Sequence, residues 1–492
     1  MLYALDFGTS NTVIARREPN GQIKTLSITP NLVFVVNAQT GSVIIGQEVA
    51  EDSQRLFRNF KRSIASGVVG FVPELDGVEV TGSQVGVWFL QKVLAGLEDI
   101  SSLVITVPVN SFATYRQWLL DHVQDLPVSE IRILDESTAA ALGYGLTTGD
   151  RTILVMDFGG GTVDFSVVQL SLQEVQSQSL IRSLIKWADR ATTAKGQPTA
   201  KVLAKTGQNL GGMDVDYWLR NYLLNTYGLP APAISKPLAE ELKIRLSQEQ
   251  VVNFTVADRV ISLSRSEFES ILAENQLFHR LDQCLADLEE QLHRQDRSFA
   301  DLSAVLLVGG SAQIPAIPQW LARKFPDLEL KTDKPIEAIA HGALTPQWQL
   351  EDFLYHSYGI RYWDRRNQCH NWHTIFAQGQ TYPTAKPYEL VLGASLPNQT
   401  HIELVIGEIT SADTEIIYQG DQLVSQILTT PIVSAHVLNA RPIAQLDPPG
   451  TVGVDRIKVS LSIDKQRTLR ITVLDLLTKC TLLVNQPVIK LQ

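Results

Sequence analysis

One short pattern occurs twice in this chain and limits its possible folds more than any other feature. Residues 2–7 read as an apolar strand running into Asp6-Phe7-Gly8-Thr9, and Ile153 to Met156 read as another running into Asp157-Phe158-Gly159-Gly160-Gly161-Thr162. The copies lie roughly one small domain apart, a weak internal repeat that predicts two related lobes. Glycine lets backbone N–H groups approach a phosphate chain without a Cβ in the way, and Thr or Ser adds hydroxyl donors. The Asp at each strand end suits a magnesium ion held through water, because magnesium dehydrates reluctantly. Two such hairpins facing each other would grip the terminal phosphates of a nucleotide from both sides. Either alone is no more than a glycine turn after a strand. A third turn, Gly309-Gly310-Ser311, adds weight at a strand-to-helix junction and would bring a helix N-terminus near the nucleotide.

The intervening segments read as alternating strands and helices. Leu103 to Val107 is a buried strand ending at Pro108, and Glu136 to Tyr144 is an alanine-rich helix. From Ser266 to Leu292, Phe268, Ile271, Leu272, Leu281, Leu285, Leu288 and Leu292 recur at helical spacing. Val305 to Val308 is a strand, and Ile314 to Phe325 a helix. Near residue 347 the period changes to two: Ile457, Val459, Leu461 and Ile463 point one way, a turn follows at 464–468, and Leu469, Ile471 and Val473 resume the alternation. Residues 359–492 therefore read as a separate antiparallel β domain.

Composition narrows the function classes. The chain has 492 residues, 44% of them hydrophobic and 19% charged, which is globular composition and enough for two to four packing units. A formal net charge of −10 argues against non-specific nucleic-acid binding. Three cysteines without a CxxC pair make a disulfide framework or zinc site a poor reading, and the nine histidines show no metal-ligand spacing. No apolar run is long enough to span a bilayer and no leader pattern precedes the first strand, so the expected location is the cytoplasm.

With these residues in place, a family resemblance emerges. Asp6 to Thr12, Phe60-Lys61-Arg62, Ile105 to Pro108 with Arg116, Leu134 to Ala141, Asp157 to Asp164, Asn209 to Asp214, Glu240 to Ser247 and Val308 to Pro315 resemble, in order and spacing, the motifs of the 70-kilodalton heat-shock chaperones. Tyr382 to Glu408 and Asp447-Pro448-Pro449-Gly450 are similar to the two halves of that family's β substrate domain.

The resemblance implies an α/β actin-like ATPase domain, two-lobed and built as a duplicated RNase H-like fold, followed by an antiparallel β-sandwich. The domain would occupy 1–347, with lobe I at about 1–156 and 331–347 and lobe II at about 157–330. A degenerate linker would occupy 348–358 and the β domain 359–492, with no helical lid. It further implies an ATP hydrolase of the slow chaperone type using ATP/ADP and Mg2+, with K+ as a further ion. Extended apolar peptides or unfolded clients, and a co-chaperone or nucleotide-exchange factor, would be the partners.

On the same resemblance, Lys61, Glu136, Asp157, Thr162 and Asp164 would carry catalysis. Gly8, Thr9, Ser10, Asn11, Gly159, Gly160, Gly161, Thr162, Gly211, Gly212 and Asp214 would hold the phosphates and their surroundings. Glu240, Lys243, Ser247, Gly309, Gly310, Ser311 and Gln313 would contact adenosine, and Asp6 and Asp157 would hold the metal through water. Taken singly, Lys61 is a solvated lysine and Glu136 a helix-start carboxylate; the joint pattern sets them apart.

The sequence departs from the family at four places. Gln313 replaces the adenine-stacking Arg, the linker stretch Asp352 to Ser357 is degenerate, the chain reaches Gln492 without a lid, and 177–205 reads as an insertion. That insertion holds six basic residues against Asp189, and Leu180, Leu184 and Trp187 make an amphipathic helix pattern in it. It reads as a solvated helix packed on its own lobe, or as a docking site for an acidic partner. Two other function classes stay open: an ATP-binding scaffold with uncoupled domains, and a small-molecule kinase of the actin-like superfamily.

Overall fold

The computed structural model describes all residues except 47–53, 67, 69, 109–114, 116–117, 120, 123–127, 129, 145–149, 173–197, 231–233, 257, 334, 346–348, 351–353, 355, 365–368, 378–379, 381, 385, 420–421 and 492. Within strands, the side chains of 130, 172, 198–199, 349–350, 410–416, 418–419, 422 and 427–434 are likewise outside the description. The chain divides into two compact units. The first comprises Met1–Ala200, Ala204–Leu350 and Thr414–Ile427; the second comprises Lys201–Leu203, Glu351–Asp413 and Leu428–Gln492.

The first unit is built on two sheets of similar plan. β1 (Leu2–Phe7), β2 (Asn11–Arg17), β3 (Ile23–Pro30), β4 (Ser102–Val107) and β5 (Glu130–Asp135) form a sheet in the order β5-β4-β1-β2-β3. β6 (Arg151–Phe158), β7 (Val163–Leu172), β8 (Pro198–Gln208), β9 (Ala304–Val308), β10 (Glu329–Lys331) and β11 (Gln349–Leu350) form the other, in the order β10-β9-β6-β7-β8-β11. In each, the strand carrying the Asp-Phe-Gly motif is central. It pairs antiparallel with the strand after its turn (β1 with β2, β6 with β7) and parallel with a later strand (β1 with β4, β6 with β9). β1 and β6 are buried along almost their whole length. A strand covered on both faces needs a continuous apolar run rather than alternation, and that is how both read in the sequence.

Nine helices of this unit enter the account: α1 (Phe60–Ser66), α2 (Gly82–Leu94), α3 (Glu136–Gly143), α4 (Gly212–Tyr227), α5 (Lys236–Gln248), α6 (Arg265–Glu274), α7 (Leu277–His293), α8 (Ala316–Lys324) and α9 (Ala338–Ala343). Asp135 caps α3, accepting from Thr138 N at 2.8 Å, and Ser235 caps α5, whose first turn contains Pro237. α3 and α9 are rich in small residues and approach each other until backbones touch. A Cβ on Gly143 would fall 1.8 Å from Ala338 O, and one on Gly342 would fall 1.7 Å from Ala139 O.

One expectation is refined and two are corrected. The helical spacing read from 266 to 292 runs through two helices, because the chain turns at Asn275–Gln276, where Gln276 has φ 58°. All seven apolar residues of that pattern are nevertheless buried. The helix after the third glycine turn begins at Ala316 rather than Ile314, and Ser311–Gln313 form a single 3-10 turn before it. The segment 177–205 is not wholly an insertion, since residues from Pro198 onward belong to β8 and Lys205 is buried there. Its amphipathic pattern at 180–187 lies outside the described residues, as does Arg116.

The second unit is all-β among its described residues. β12 (Ser357–Asp364), β13 (Cys369–Phe376), β14 (Tyr388–Gly393), β15 (Gln399–Gln419), β16 (Gln422–Gly450), β17 (Asp455–Ile463), β18 (Thr468–Asp475) and β19 (Thr481–Lys490) form two four-stranded sheets, β13-β12-β15-β16 and β14-β17-β18-β19, of which the end of β15 from Thr414 and the start of β16 as far as Ile427 belong to the first unit. The alternating residues of β17 and β18 pair across the strands, Val459 with Val473 and Leu461 with Ile471. With Ile360, Ile402, Leu404 and Ile406 they make one core. At its edge a buried ion pair joins Arg456 to Asp475 through two parallel bonds of 3.0 and 2.9 Å. Cys284, Cys369 and Cys480 form no disulfide.

Candidate functional site

The two Asp-Phe-Gly turns of the first unit face each other at contact distance. A Cβ on Gly160 would lie 2.1 Å from Ser10 Oγ, and one on Gly161 would lie 2.8 Å from Thr9 Oγ1. Glycine at 160 and 161 is therefore set by the opposing turn.

Each turn is held from behind. Asn31 binds the first: Nδ2 donates to Gly8 O at 2.7 Å, its N–H donates to Ser10 O at 2.8 Å, and its Oδ1 accepts from Thr12 Oγ1 at 2.7 Å. The second is held by the start of α4. Gly212 N donates to Gly159 O at 3.0 Å and Met213 N to Gly160 O at 2.9 Å, while Ser311 Oγ donates to Gly159 O at 2.8 Å.

A cavity of about 470 Å³ opens beside the turns. Of the residues singled out in the sequence, its wall includes Asp6, Gly8, Thr9, Ser10, Asn11, Lys61, Glu136, Asp157, Gly159, Gly160, Thr162, Glu240, Lys243, Ser247, Gly309, Gly310, Ser311 and Gln313. Gly161, Asp164, Gly211, Gly212 and Asp214 are not part of the wall. Gly212 donates its N–H to Gly159 O and so supports the second turn, while Gly211 spends its own on Asp214 Oδ2 (2.8 Å) and braces the turn by close approach, since a Cβ on it would lie 2.4 Å from Gly160 O. Asp214 is buried and binds Arg62 through two bonds of 3.1 and 3.0 Å. Also within the first unit, Arg62 donates to Leu423 O at 3.1 Å and Asp214 accepts from Ser425 N at 2.9 Å. At 3.0 Å the Arg62–Asp214 contact ties α1, which carries Lys61, to the first turn of α4.

The electrostatics of the cavity floor are unbalanced. Asp6, Glu136, Asp157 and Asp164 are all at least nine-tenths buried, and Asp157 stands directly opposite Asp164 in the β6–β7 register. Lys61, itself buried, faces them: Nζ donates to Phe7 O and lies 3.5 Å from Glu136 Oε1, which has no hydrogen-bond partner among the described residues. Burial raises the pKa of Asp6, although Lys61 and a 2.9 Å bond from Thr106 Oγ1 oppose the shift. Burial pushes Glu136 well above the usual carboxylate range against the pull of Lys61. Asp157 is raised to about 8, first by burial and then by Asp164 and Asp6. Like charges that share a dry site resist ionising together, so the floor lacks positive charge. Among the described residues no three carboxylate, imidazole or thiol groups converge to chelate a metal directly. The donor set suits a hydrated divalent cation that meets one or two carboxylates.

The far wall suits the flat, partly apolar body of a nucleoside. Glu240, Lys243, Ile244, Ser247 and Gln248 lie on one face of α5, at the i, i+3, i+4, i+7, i+8 spacing of a helix. Opposite are Gly309, with φ 92°, and Gly310. A Cβ on Gly309 would lie 2.4 Å from Phe158 O. Lys243 is engaged by Asp216 at 2.8 Å and by Gly212 O at 3.2 Å.

Residues 29–179 and 195–350, more than half of the chain, match the family model described as Hsp70 protein. The chain belongs to the Hsp70 family. Chaperone protein DnaK of Thermotoga neapolitana is 25% identical over 378 residues, which cover 69% of this chain and 58% of that protein. Chaperone protein DnaK of Psychrobacter cryohalolentis is 27% identical over 394 residues, covering 69% of this chain and 57% of that protein. The chain thus spans less than two thirds of the length of these curated relatives. Hsp70 membership implies an actin-like ATPase domain with a β-sandwich, and the sheets of both units are consistent with it. The match passes over residues 180–194, inside the stretch set apart in the sequence. No helix among the described residues is long and apolar enough to cross a membrane.

Sequence reasoning missed several residues of this Hsp70-family site. Asn31 is remote from every motif, and nothing in the sequence marks it as the clamp on the first turn. Val13, Ile314, Pro335, Ile336 and Ile339 complete the apolar wall. Ile244 carried a signal, standing one helical turn after Glu240 on the same face. Pro335 fixes the third turn by accepting from Gly309 N at 2.6 Å.

Proposed function

We propose that this chain is a chaperone-type ATPase. It binds ATP in the cavity of the first unit, hydrolyses it slowly, and uses the nucleotide state to govern how the β unit holds extended apolar peptide. The observation that carries the reading is the pair of phosphate-type turns meeting face to face, with one buried lysine and four buried carboxylates beside them. In this reading residues 1–347 form the nucleotide-binding domain, 348–358 the linker and 359–492 the peptide-binding domain.

The chain's own residues divide the work. Gly8 to Asn11 and Gly160 to Thr162 present N–H and hydroxyl donors to the β- and γ-phosphates from opposite sides, while Gly159 closes the second turn by donating to Thr162 O at 2.9 Å. Lys61 places positive charge where the terminal phosphoryl group gains negative charge. Glu136 and Asp157 orient the attacking water, with Asp164 behind the wall acting through Asp157 opposite it. Hydrolysis needs positioning and charge stabilisation rather than a covalent intermediate. Bound Mg2+ would be held through water by Asp6 and Asp157, and would supply the positive charge the floor lacks. Glu240, Lys243 and Ser247 on one side, and Gly309, Gly310, Ser311 and Gln313 on the other, hold adenosine. Gln313 has no planar cation for the base, which lowers selectivity for adenine.

The β unit offers sheet edges for strand addition by an extended client. Clients would be unfolded segments, and a co-chaperone or exchange factor would set the cycle rate. The test is a peptide titration with and without Mg-ATP, run beside single-turnover hydrolysis in wild type and Lys61→Ala. Retained ATP binding, lost hydrolysis in Lys61→Ala, and tighter peptide binding without ATP are expected. A Lys61→Ala variant that hydrolyses ATP at the wild-type rate would refute the catalytic assignment, and ATP-independent peptide binding would refute the coupling.

A further inference from the structure

Lys61 reaches the cavity on a flexible four-carbon stem, and such a side chain acts as a directed charge only where its neighbours fix it. Two of them are polar: Phe7 O accepts a hydrogen bond, and Glu136 Oε1 lies 3.5 Å away. A third is aromatic. Nζ lies over the ring of Tyr115, 4.8 Å from its centroid, compared with 5.7 Å to the ring of Phe7. Both lie within the range of cation–π attraction, and Tyr115 is the nearer.

Tyr115 is fully buried and firmly backed. Its ring stacks on Trp118, with centroids 5.9 Å apart and planes at 17°, and tilts against Phe7 at 6.1 Å. Trp118 is fixed in turn by a 2.8 Å bond from Nε1 to Ser83 Oγ on α2. The Tyr115 hydroxyl has no hydrogen-bond partner among the described residues. Burial, with Glu136 and Asp6 adding to it, keeps that hydroxyl protonated. A neutral π face meets the ammonium, and the hydroxyl is a buried polar group with nothing to bond.

We infer that Tyr115 is a positioning residue for Lys61: its ring, backed by Trp118 and Ser83, seats the ammonium by cation–π attraction and directs it toward the terminal phosphate. The inference rests on the ATPase reading above and adds a residue that lies in none of the recognised motifs.

The test compares Tyr115→Phe with Tyr115→Leu in the full chain. Phenylalanine keeps the ring and removes the orphaned hydroxyl, so kcat should stay within about twofold of wild type and the melting temperature should rise. Leucine fills similar space without a π face, so kcat should fall about tenfold while KM moves less than about threefold. A second readout needs no turnover. In nucleotide-free protein labelled with 13C-lysine and assigned with Lys61→Arg, the ε-methylene resonance of Lys61 should be ring-current shifted in wild type and Tyr115→Phe. It should return toward the free-lysine position in Tyr115→Leu. Equal losses in the two variants, or a Tyr115→Leu protein with wild-type kcat and an unmoved resonance, would overturn the inference. A wild-type protein that hydrolyses no ATP would instead refute the ATPase reading, and the resonance would still decide for or against Tyr115.

Discussion

Replacing Gly342 by alanine probes the closest helix contact in the first unit. A Cβ there would lie 1.7 Å from Ala139 O, where an ordinary carbon–oxygen contact needs roughly 3.2 Å, so α3 and α9 must separate by about 1.5 Å. Alanine has the better helix propensity, returning about 1 kcal/mol. Overpacking a tight core costs about 1–3 kcal/mol and more where the obstacle is backbone, which does not rotate away. The upper end applies, giving a net loss of about 2–3 kcal/mol. The same displacement moves Glu136 at the start of α3 and Ile339 on the cavity wall. Misplacement by about 1 Å lowers turnover on the order of a hundredfold. Urea unfolding followed by circular dichroism at the helical minimum reports on this unit, because among the described residues every helix lies in it. Gly310→Ala is the control: its φ of −64° and ψ of −40° suit alanine and no atom lies within 4 Å of the added Cβ. Its unfolding midpoint should stay near wild type. If Gly342→Ala loses less than about 0.5 kcal/mol and binds nucleotide like wild type, the two helices do not meet through glycine and the reasoning fails.

Asp214→Ala should cost about 3–5 kcal/mol by leaving Arg62 buried and unpaired, and urea denaturation measures it; a loss below about 1 kcal/mol would mean that the pair is not buried in solution. Burial raises Asp157 to about 8, so the folded state keeps a proton that the unfolded state loses above about pH 4. Metal-free stability should therefore fall as pH rises toward 8, by up to about 1.4 kcal/mol per pH unit, and Asp157→Asn should flatten that slope in a pH series of melting curves. In the β unit, burial alone would raise Asp475, but the bonds from Arg456, with those from the backbone N–H groups of Thr478 and Leu477, win and hold it at about 2. Its stabilisation, about 2 kcal/mol, should be complete above about pH 4 and vanish as pH falls through 2. Arg456→Ala should shrink that acid dependence, as followed by tryptophan fluorescence.

Much of the site was legible in the sequence because phosphate-type turns are local chemistry. Asp6 to Asn11, Asp157 to Thr162 and Gly309 to Ser311 each follow a buried apolar strand, and a strand running into a glycine turn can be read without knowing the rest of the fold. The face of α5 was legible for the same reason, since helical spacing brings Glu240, Lys243 and Ser247 together. The β unit announced itself through the period-two pattern of β17 and β18. Boundaries were less legible. The start of α8 at Ala316, read as Ile314, and the break at Gln276, which the spacing left unmarked, depend on where the chain can turn and repack.

Sequence alone determined the repeated strand-and-turn units, the residue types around the cavity, and the change from helical to strand periodicity. Only the tertiary structure decided which side chains meet. Asn31 clamps the first turn, Gly211 and Gly212 brace the second instead of lining the cavity, and Tyr115 lies beneath Lys61. Each of those contacts joins residues far apart in the chain. Local propensity is set by neighbours within a few positions, whereas hydrogen-bond partners, buried charge and close backbone approach are set by what the fold brings across from elsewhere.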